Sequence, residues 1–311
     1  MKRVAIIGAS SFIGKHLIAE FHRKKWEVIA IIRNNSVHKG FFSQYENITL
    51  VECDMHNYTE LANLIDRVDA TIYLTWNGTR GNDRYDYEKQ KNNYEQSMIA
   101  IEAIVTTGCK KILIAGSQAE YGPWFLDRKC NETDEAKPNT EYGKFKLKFY
   151  CDAKKYCDEH DVKLVEPRFF SLYGPGDFAG TMIISILNKM INNEPCDLTE
   201  CKQIWDFLYI DDAIAGLVKL IEDDNACGVY NFGSGVSFPL KHYIEEMYRA
   251  TGSKSQLNYG AVSYPVTGMV NINPCVDKLK NLGWNTEVEF QEGVKRILKE
   301  IRNQNKINFE A

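Results

Sequence analysis

Short apolar runs alternate along the chain with longer stretches in which apolar residues return every three or four positions. The runs are RVAIIG (3–8), EVIAII (27–32), ITLVEC (48–53), ATIYLT (70–75), KILIAG (111–116) and VKLVEP (162–167). Continuous apolar, β-branched runs of this length predict strands buried on both faces of a parallel sheet. The amphipathic stretches between them, about 13–24, 58–66, 85–107 and 141–160, predict helices covering that sheet on both sides. A further helix–strand pair is expected from DDAIAGLVKLIE (211–222) and GVYNFG (228–233). The pattern predicts an α/β, doubly wound fold over residues 1–170, completed by about 207–235. The stretches 171–206 and 236–311 are less regular and hold most of the prolines. They are read as a smaller substrate-binding lobe rather than an independent domain.

Composition narrows the class. The net charge of −4 over 311 residues offers no general basic field for nucleic acid or an anionic membrane. No apolar run reaches the roughly 18 residues that span a bilayer. The opening MKRVAIIGASSFIG is basic and then apolar, but it breaks into glycines, so it is read as a first strand rather than a signal peptide. Nine cysteines without a C-x-x-C pair, and six histidines without ligand-like spacing, argue against a metal or disulfide framework. The expectation is a cytoplasmic protein with reduced thiols and no metal.

Candidate chemistry begins in the first turn. IIGASSFIG follows the first strand and opens the first helix. Gly8 and Gly14 let the backbone turn tightly and a pyrophosphate approach the helix N-terminus, with Ser10, Ser11, Phe12 and Ile13 between them. Ser11 stands where the middle glycine of a G-x-x-G-x-x-G turn would be. A plain glycine-containing turn without a ligand is the competing reading. An acidic residue ending the second strand would hold the ribose of NAD, but here Ile32 is followed by Arg33. A guanidinium there suits a 2′-phosphate, which predicts NADP(H) rather than NAD(H). A solvated arginine is the alternative. Asp54, beside Met55 at the end of the third strand, is a candidate acceptor from the adenine amino group or else a loop or capping aspartate.

In NTEYGKFKLKFY, Tyr142 and Lys146 are four residues apart and share one helix face. A phenol with a pKa near 10 exchanges protons poorly at neutral pH, and a nearby ammonium favours the phenolate. Ser117, at the end of the fifth strand, is placed to hydrogen-bond the substrate oxygen. This trio predicts proton transfer by Tyr142 coupled to hydride exchange at the same carbon.

GASSFIG, NNYEQSMIAIEA, GSQAEYG, YGKFK, PRFFSLYGPGD, DFLYIDD, YNFGSG and KLKNLGWNTEVEFQEGVK occur in that order across nearly the whole chain. Together they resemble the extended short-chain dehydrogenase/reductase family, in its nucleotide-sugar epimerase, dehydratase and reductase branch. The resemblance implies a Rossmann domain with a seven-stranded parallel sheet, bound NAD(P), the roles above for Ser117, Tyr142 and Lys146, and a C-terminal lobe for a nucleotide diphosphate-sugar. It also implies that Leu74, Thr75, Trp76, Asn93, Phe169 and Phe170 line the cofactor site, and that homodimers form through the helices near 85–107 and 141–160. The family's sugar-diphosphate asparagine is matched by Ser171. Its pyrophosphate-clamping arginine is matched by Trp205. Dehydratases of the family usually carry an Asp–Glu pair directly after the catalytic Ser or Thr. Here Gln118, a candidate substrate contact, and Ala119 take those places. Alanine and glutamine cannot transfer the protons of an elimination, and Glu120 is expected to point elsewhere. The reading is an NADP(H)-dependent reductase of a 4-keto(-6-deoxy) nucleotide-sugar. A C4 epimerase with recycled cofactor and a non-catalytic NADP(H) sensor are the alternatives.

Overall fold

The computed structural model describes residues 2–124, 126–264 and 269–310, with side chains through residue 303. Its main sheet contains strands β1 (Arg3–Ile7), β2 (Glu27–Ile32), β3 (Ile48–Glu52), β4 (Ala70–Tyr73), β5 (Lys111–Ile114), β6 (Gly116–Ser117), β7 (Lys163–Phe169) and β8 (Gly228–Phe232). Seven of them run in the order β8-β7-β5-β4-β1-β2-β3, and the short β6 pairs with β7. Each neighbouring pair from β3 to β7 is parallel. The order reverses beside β1, which makes a crevice at the strands' carboxyl ends the expected ligand site.

Helices follow where the unbroken apolar runs give way to an apolar period near four: α1 (Phe12–Arg23), α2 (Tyr87–Thr106) and α3 (Glu141–Glu159) are the three longest between β1 and β7. On one face of the sheet, Ile7, Ile31, Tyr73 and Ile112 pack with Ala100, Ile101 and Ile104 of α2 and Phe149 and Ala153 of α3 in one buried cluster. Burial of such side chains contributes about 1.5–3 kcal/mol each and drives formation of the sheet–helix layers.

The chain divides into two compact units. The first comprises Met1–Gly122, Glu132–Phe169 and Ile214–Asn231; the second comprises Pro123–Asn131, Phe170–Ala213 and Phe232–Ala311. Residues 123–131 therefore part from the expected 1–170 boundary. The physical reason is backbone pairing inside the second unit. Asn271 N donates to Trp124 O, Cys130 N to Asn273 O, and Cys275 N to Cys130 O. In the second unit a two-stranded antiparallel ladder joins 204–206 to 237–239. Asp206 sits fully buried in that unit, accepting from Ser234 N (2.7 Å), Ser234 Oγ (3.0 Å) and Gly235 N (2.8 Å). Burial still pushes its carboxyl up to about 6 against the pull of those donors. Among the described residues no helix is long and apolar enough to cross a membrane.

Candidate active site

The turn after β1 is shaped for an anion. Ser11 caps α1, its Oγ accepting from Gly14 N at 3.1 Å. Its φ of −70° is open to any residue, so serine replaces glycine there without strain. Gly14 has no such freedom, because a Cβ would lie 2.5 Å from Ala9 O. Gly8 N and Ala9 N donate to Ile31 O, and Ser11 N returns to Gly8 O. Ser10 completes the turn. The first turn of α1, which includes Phe12 and Ile13, carries no acidic side chain. Its amide groups and dipole are therefore unopposed by a local carboxylate, and the turn fits a pyrophosphate.

The rim is built from the ends of the neighbouring strands. Arg33 is exposed directly after β2. Asp54, after β3, accepts from Asn34 N at 3.2 Å and so ties the two loops together. Met55 Sδ accepts from Asn77 Nδ2. Leu74 N donates to Ile7 O, and Thr75 Oγ1 accepts from Tyr58 at 3.1 Å. Trp76 Nε1 donates to the buried Gln90 at 2.7 Å. Asn93 is buried and exchanges hydrogen bonds with the backbone of Asn77, accepting at 3.1 Å and donating at 2.8 Å. Its amide holds the loop after β4 in place.

Ser117 ends β6, where it lies in register with Phe169 of β7. Its hydroxyl accepts from Ala119 N at 3.2 Å, and its backbone N–H donates to Glu120 Oε1 at 2.6 Å. This reciprocal capping fixes the turn that carries the hydroxyl. The start of α3 packs directly on the same turn, since a Cβ on Gly143 would lie 2.3 Å from Ala119 O. That close approach brings Tyr142 into hydrogen-bonding reach of Ser117. Tyr142 is buried, with Trp76 edge-on at 6.3 Å.

Lys146 lies one turn on from Tyr142 in α3 and is buried. Its Nζ donates to Ala115 O at 2.7 Å and sits 4.0 Å over the Trp76 ring. Burial pushes the ammonium down to about 8, against the opposing charges of Glu120 and Glu166. Burial also raises the Tyr142 phenol above its usual value. The hydrogen bond with Ser117 works against that rise, Glu120 adds to it, and the guanidinium groups of Arg84 and Arg80 oppose it. Arg84 lies 5.1 Å over the Tyr142 ring. The sequence motif did not single it out, because it lies in the loop after β4 and outside the Y-x-x-x-K pattern.

Behind Ser117 is a buried ionic cluster that sequence reading missed. Arg168 Nε donates to Glu120 at 3.0 Å and to Glu166 at 2.8 Å, and all three side chains are almost wholly buried. Burial and the neighbouring Glu120 raise Glu166 well above the usual carboxylate range. Glu120 is thus spent on Ser117 N and Arg168. Tyr121 is buried as well, donating to Asn231 at 2.7 Å. In the second unit, Ser171 and Trp205 meet directly: Trp205 Nε1 donates to Ser171 Oγ at 3.0 Å. Phe170 N donates to Phe232 O.

A family model, NAD dependent epimerase/dehydratase, matches residues 4–233. The chain belongs to that family. It is an enzyme of the oxidoreductase or epimerase kind, and its fold is the NAD(P)-binding Rossmann type. CDP-abequose synthase of Salmonella muenchen is 27% identical, with 96% of this chain and 97% of that protein covered. The dTDP-4-dehydro-6-deoxyglucose reductase of Escherichia coli is 25% identical, with 96% and 97% covered. A solved UDP-glucuronic acid 4-epimerase from Bacillus cereus, in complex with NAD, superposes with a TM-score of 0.83 at 20% identity, covering 97% and 99% of the two chains. Members of this set act as nucleotide-sugar reductases or epimerases, and this enzyme falls within that range.

Proposed function

We propose that the enzyme is an NADP(H)-dependent reductase of a 4-keto(-6-deoxy) nucleotide-sugar. The observation that carries the reading is the Ser117–Tyr142 pair beside a turn with no free acid. Gln118 and Ala119 follow Ser117, and the nearest carboxylate, Glu120, is buried and held by Ser117 N and Arg168. Elimination of water needs an acid and a base at the sugar, and this turn supplies neither. Reduction needs less. Bound NADP(H) supplies the hydride. Ser117 orients the carbonyl oxygen, and Tyr142 gives it the phenol proton as the alcohol forms. Lys146, which donates to Ala115 O beside Trp76, would stand next to Tyr142 at the cofactor.

The cofactor would be held by the turn from Gly8 to Gly14, by Asp54 and Met55 at the base, and by Leu74, Thr75, Trp76 and Phe169 along the cleft. Arg33 would take the 2′-phosphate. Arg33→Asp is expected to reverse preference from NADP(H) towards NAD(H), read as the ratio of kcat/KM for the two cofactors. An unchanged ratio removes Arg33 from the cofactor site. Gln118 is the proposed sugar contact of the first unit. A homodimer through α2 and α3 is proposed as well, supported by the exposed Tyr85 and Tyr87 at that end of α2. C4 epimerisation with retained NAD is the second reading, favoured by the epimerase neighbour in complex with NAD. Nicotinamide absorbance separates the two: reduction consumes NADPH in proportion to product, whereas epimerisation isomerises the sugar with no net oxidation.

A further inference from the structure

Four buried side-chain polar atoms among the described residues have no hydrogen-bond partner: Arg84 Nε, Gln118 Oε1, Thr181 Oγ1 and Tyr259 Oη. Two of the four flank the Ser117–Tyr142 pair. Gln118 follows Ser117 in the chain, and the Arg84 guanidinium lies over the Tyr142 ring at 5.1 Å. A buried guanidinium N–H without an acceptor is costly, and an oxygen of a bound ligand is one group that can supply the acceptor. The loop that carries Arg84 is also held firmly. Gln90, wholly buried in α2, donates to Gly78 O at 2.9 Å and to Asp83 O at 2.8 Å while accepting from Trp76. Lys89 Nζ adds an ion pair to Asp83 at 2.6 Å. These contacts fix the backbone on either side of Arg84.

We infer that Arg84 belongs to the reaction site, where its guanidinium donates from Nε to an oxygen of the bound sugar next to the carbon that Tyr142 serves. This rests on the nucleotide-sugar reading above. It assigns Arg84 two effects. The hydrogen bond fixes the sugar face that meets Ser117 and Tyr142. The charge over the ring favours the phenolate form, a task the Y-x-x-x-K pattern gives to Lys146, whose ammonium here faces Ala115 O and Trp76. The charged groups around the phenol are Arg80 and Arg84 from the loop after β4 and Glu120 from the turn after β6, with Lys146 one turn on in α3.

Two variants and two readouts test the assignment. The first readout is affinity for the product sugar nucleotide in the presence of NADP⁺, which needs no turnover. The second is the tyrosinate absorbance of Tyr142 on pH titration, taken as the difference from Tyr142→Phe. Arg84→Gln is expected to weaken sugar-nucleotide binding roughly tenfold or more, the scale of a hydrogen bond to a charged group. It should also move the Tyr142 titration up by roughly one unit, since a cation is removed from beside the phenolate. Arg84→Lys is expected to leave the titration near its wild-type position while still weakening binding, because the charge stays and the forked donor is lost. NADP(H) affinity should be unchanged in both, which separates a site effect from misfolding. Arg84→Gln that binds NADP(H) and the sugar nucleotide as tightly as wild type overturns the inference. A wild-type enzyme that binds no sugar nucleotide at all defeats the functional reading instead, and the phenol titration still decides where the Arg84 charge acts.

Discussion

Replacing Tyr142 with phenylalanine is expected to cut turnover by about 10²–10⁴-fold, the usual contribution of a positioned acid–base group. The structure explains why no other residue takes over. Ser117 has its hydroxyl within reach of the phenol, but its own pKa is far too high for it to give up a proton at neutral pH. Lys146 faces Ala115 O and Trp76. Glu120 is sealed behind Ser117 by Arg168. Removing one oxygen leaves the ring packed against Trp76, so NADP(H) affinity and thermal stability should remain near wild type. A variant that kept more than a tenth of the activity would remove Tyr142 from the proton-transfer role.

The second large effect concerns stability. Arg168→Met is expected to destabilise the fold by about 3–5 kcal/mol, the range for stripping one partner from a buried ion pair. The arginine serves two carboxylates, Glu120 and Glu166, both buried. Burial and Glu120 already hold Glu166 well above the usual carboxylate range, and the guanidinium works against that rise. The pH dependence follows from that. Without the guanidinium, the folded-state pKa of Glu166 rises further above its unfolded value. Stability is then retained below the unfolded pKa and lost as pH rises through the folded one. Urea unfolding at pH 5 and pH 8 should show the larger deficit at pH 8. The double variant Glu120→Gln, Arg168→Met keeps an acceptor for Ser117 N and should recover part of the loss. Equal deficits at both pH values would mean that Arg168 matters for packing alone.

Much of this architecture is legible in the sequence because of how the sheet is buried. Strands covered on both faces read as unbroken apolar runs. All six early runs became strands, but β3 lies at the sheet edge and leaves Thr49, Leu50 and Glu52 exposed, so it is not buried on both faces as expected. The α3 stretch reads clearly because its apolar residues repeat at helical spacing. Other features depend on contacts distant in sequence. The run KILIAG looks like one strand, yet the chain breaks at Ala115 into β5 and β6. That break frees the carbonyl that Lys146 uses. The expected helix at 58–66 is divided between a 3₁₀ turn at Met55–Glu60 and a single helical turn at Leu61–Leu64. Glu120 and Glu166 look like surface acids in the sequence, and only the fold brings them together on Arg168. Arg84 has no motif at all. Its position follows from Gln90 gathering Trp76, Gly78 and Asp83, a set of contacts with no periodic signature.

An NADP(H)-dependent reductase of this kind delivers a net hydride to one sugar carbon without elimination. The most direct measurement uses NADPH deuterated at the transferable position, a 4-keto-6-deoxy nucleotide-sugar, and mass spectrometry of the product. The account predicts an alcohol carrying one deuterium on the former carbonyl carbon, formed in step with NADP⁺. An isomerised sugar without label and with the cofactor unconsumed would contradict it.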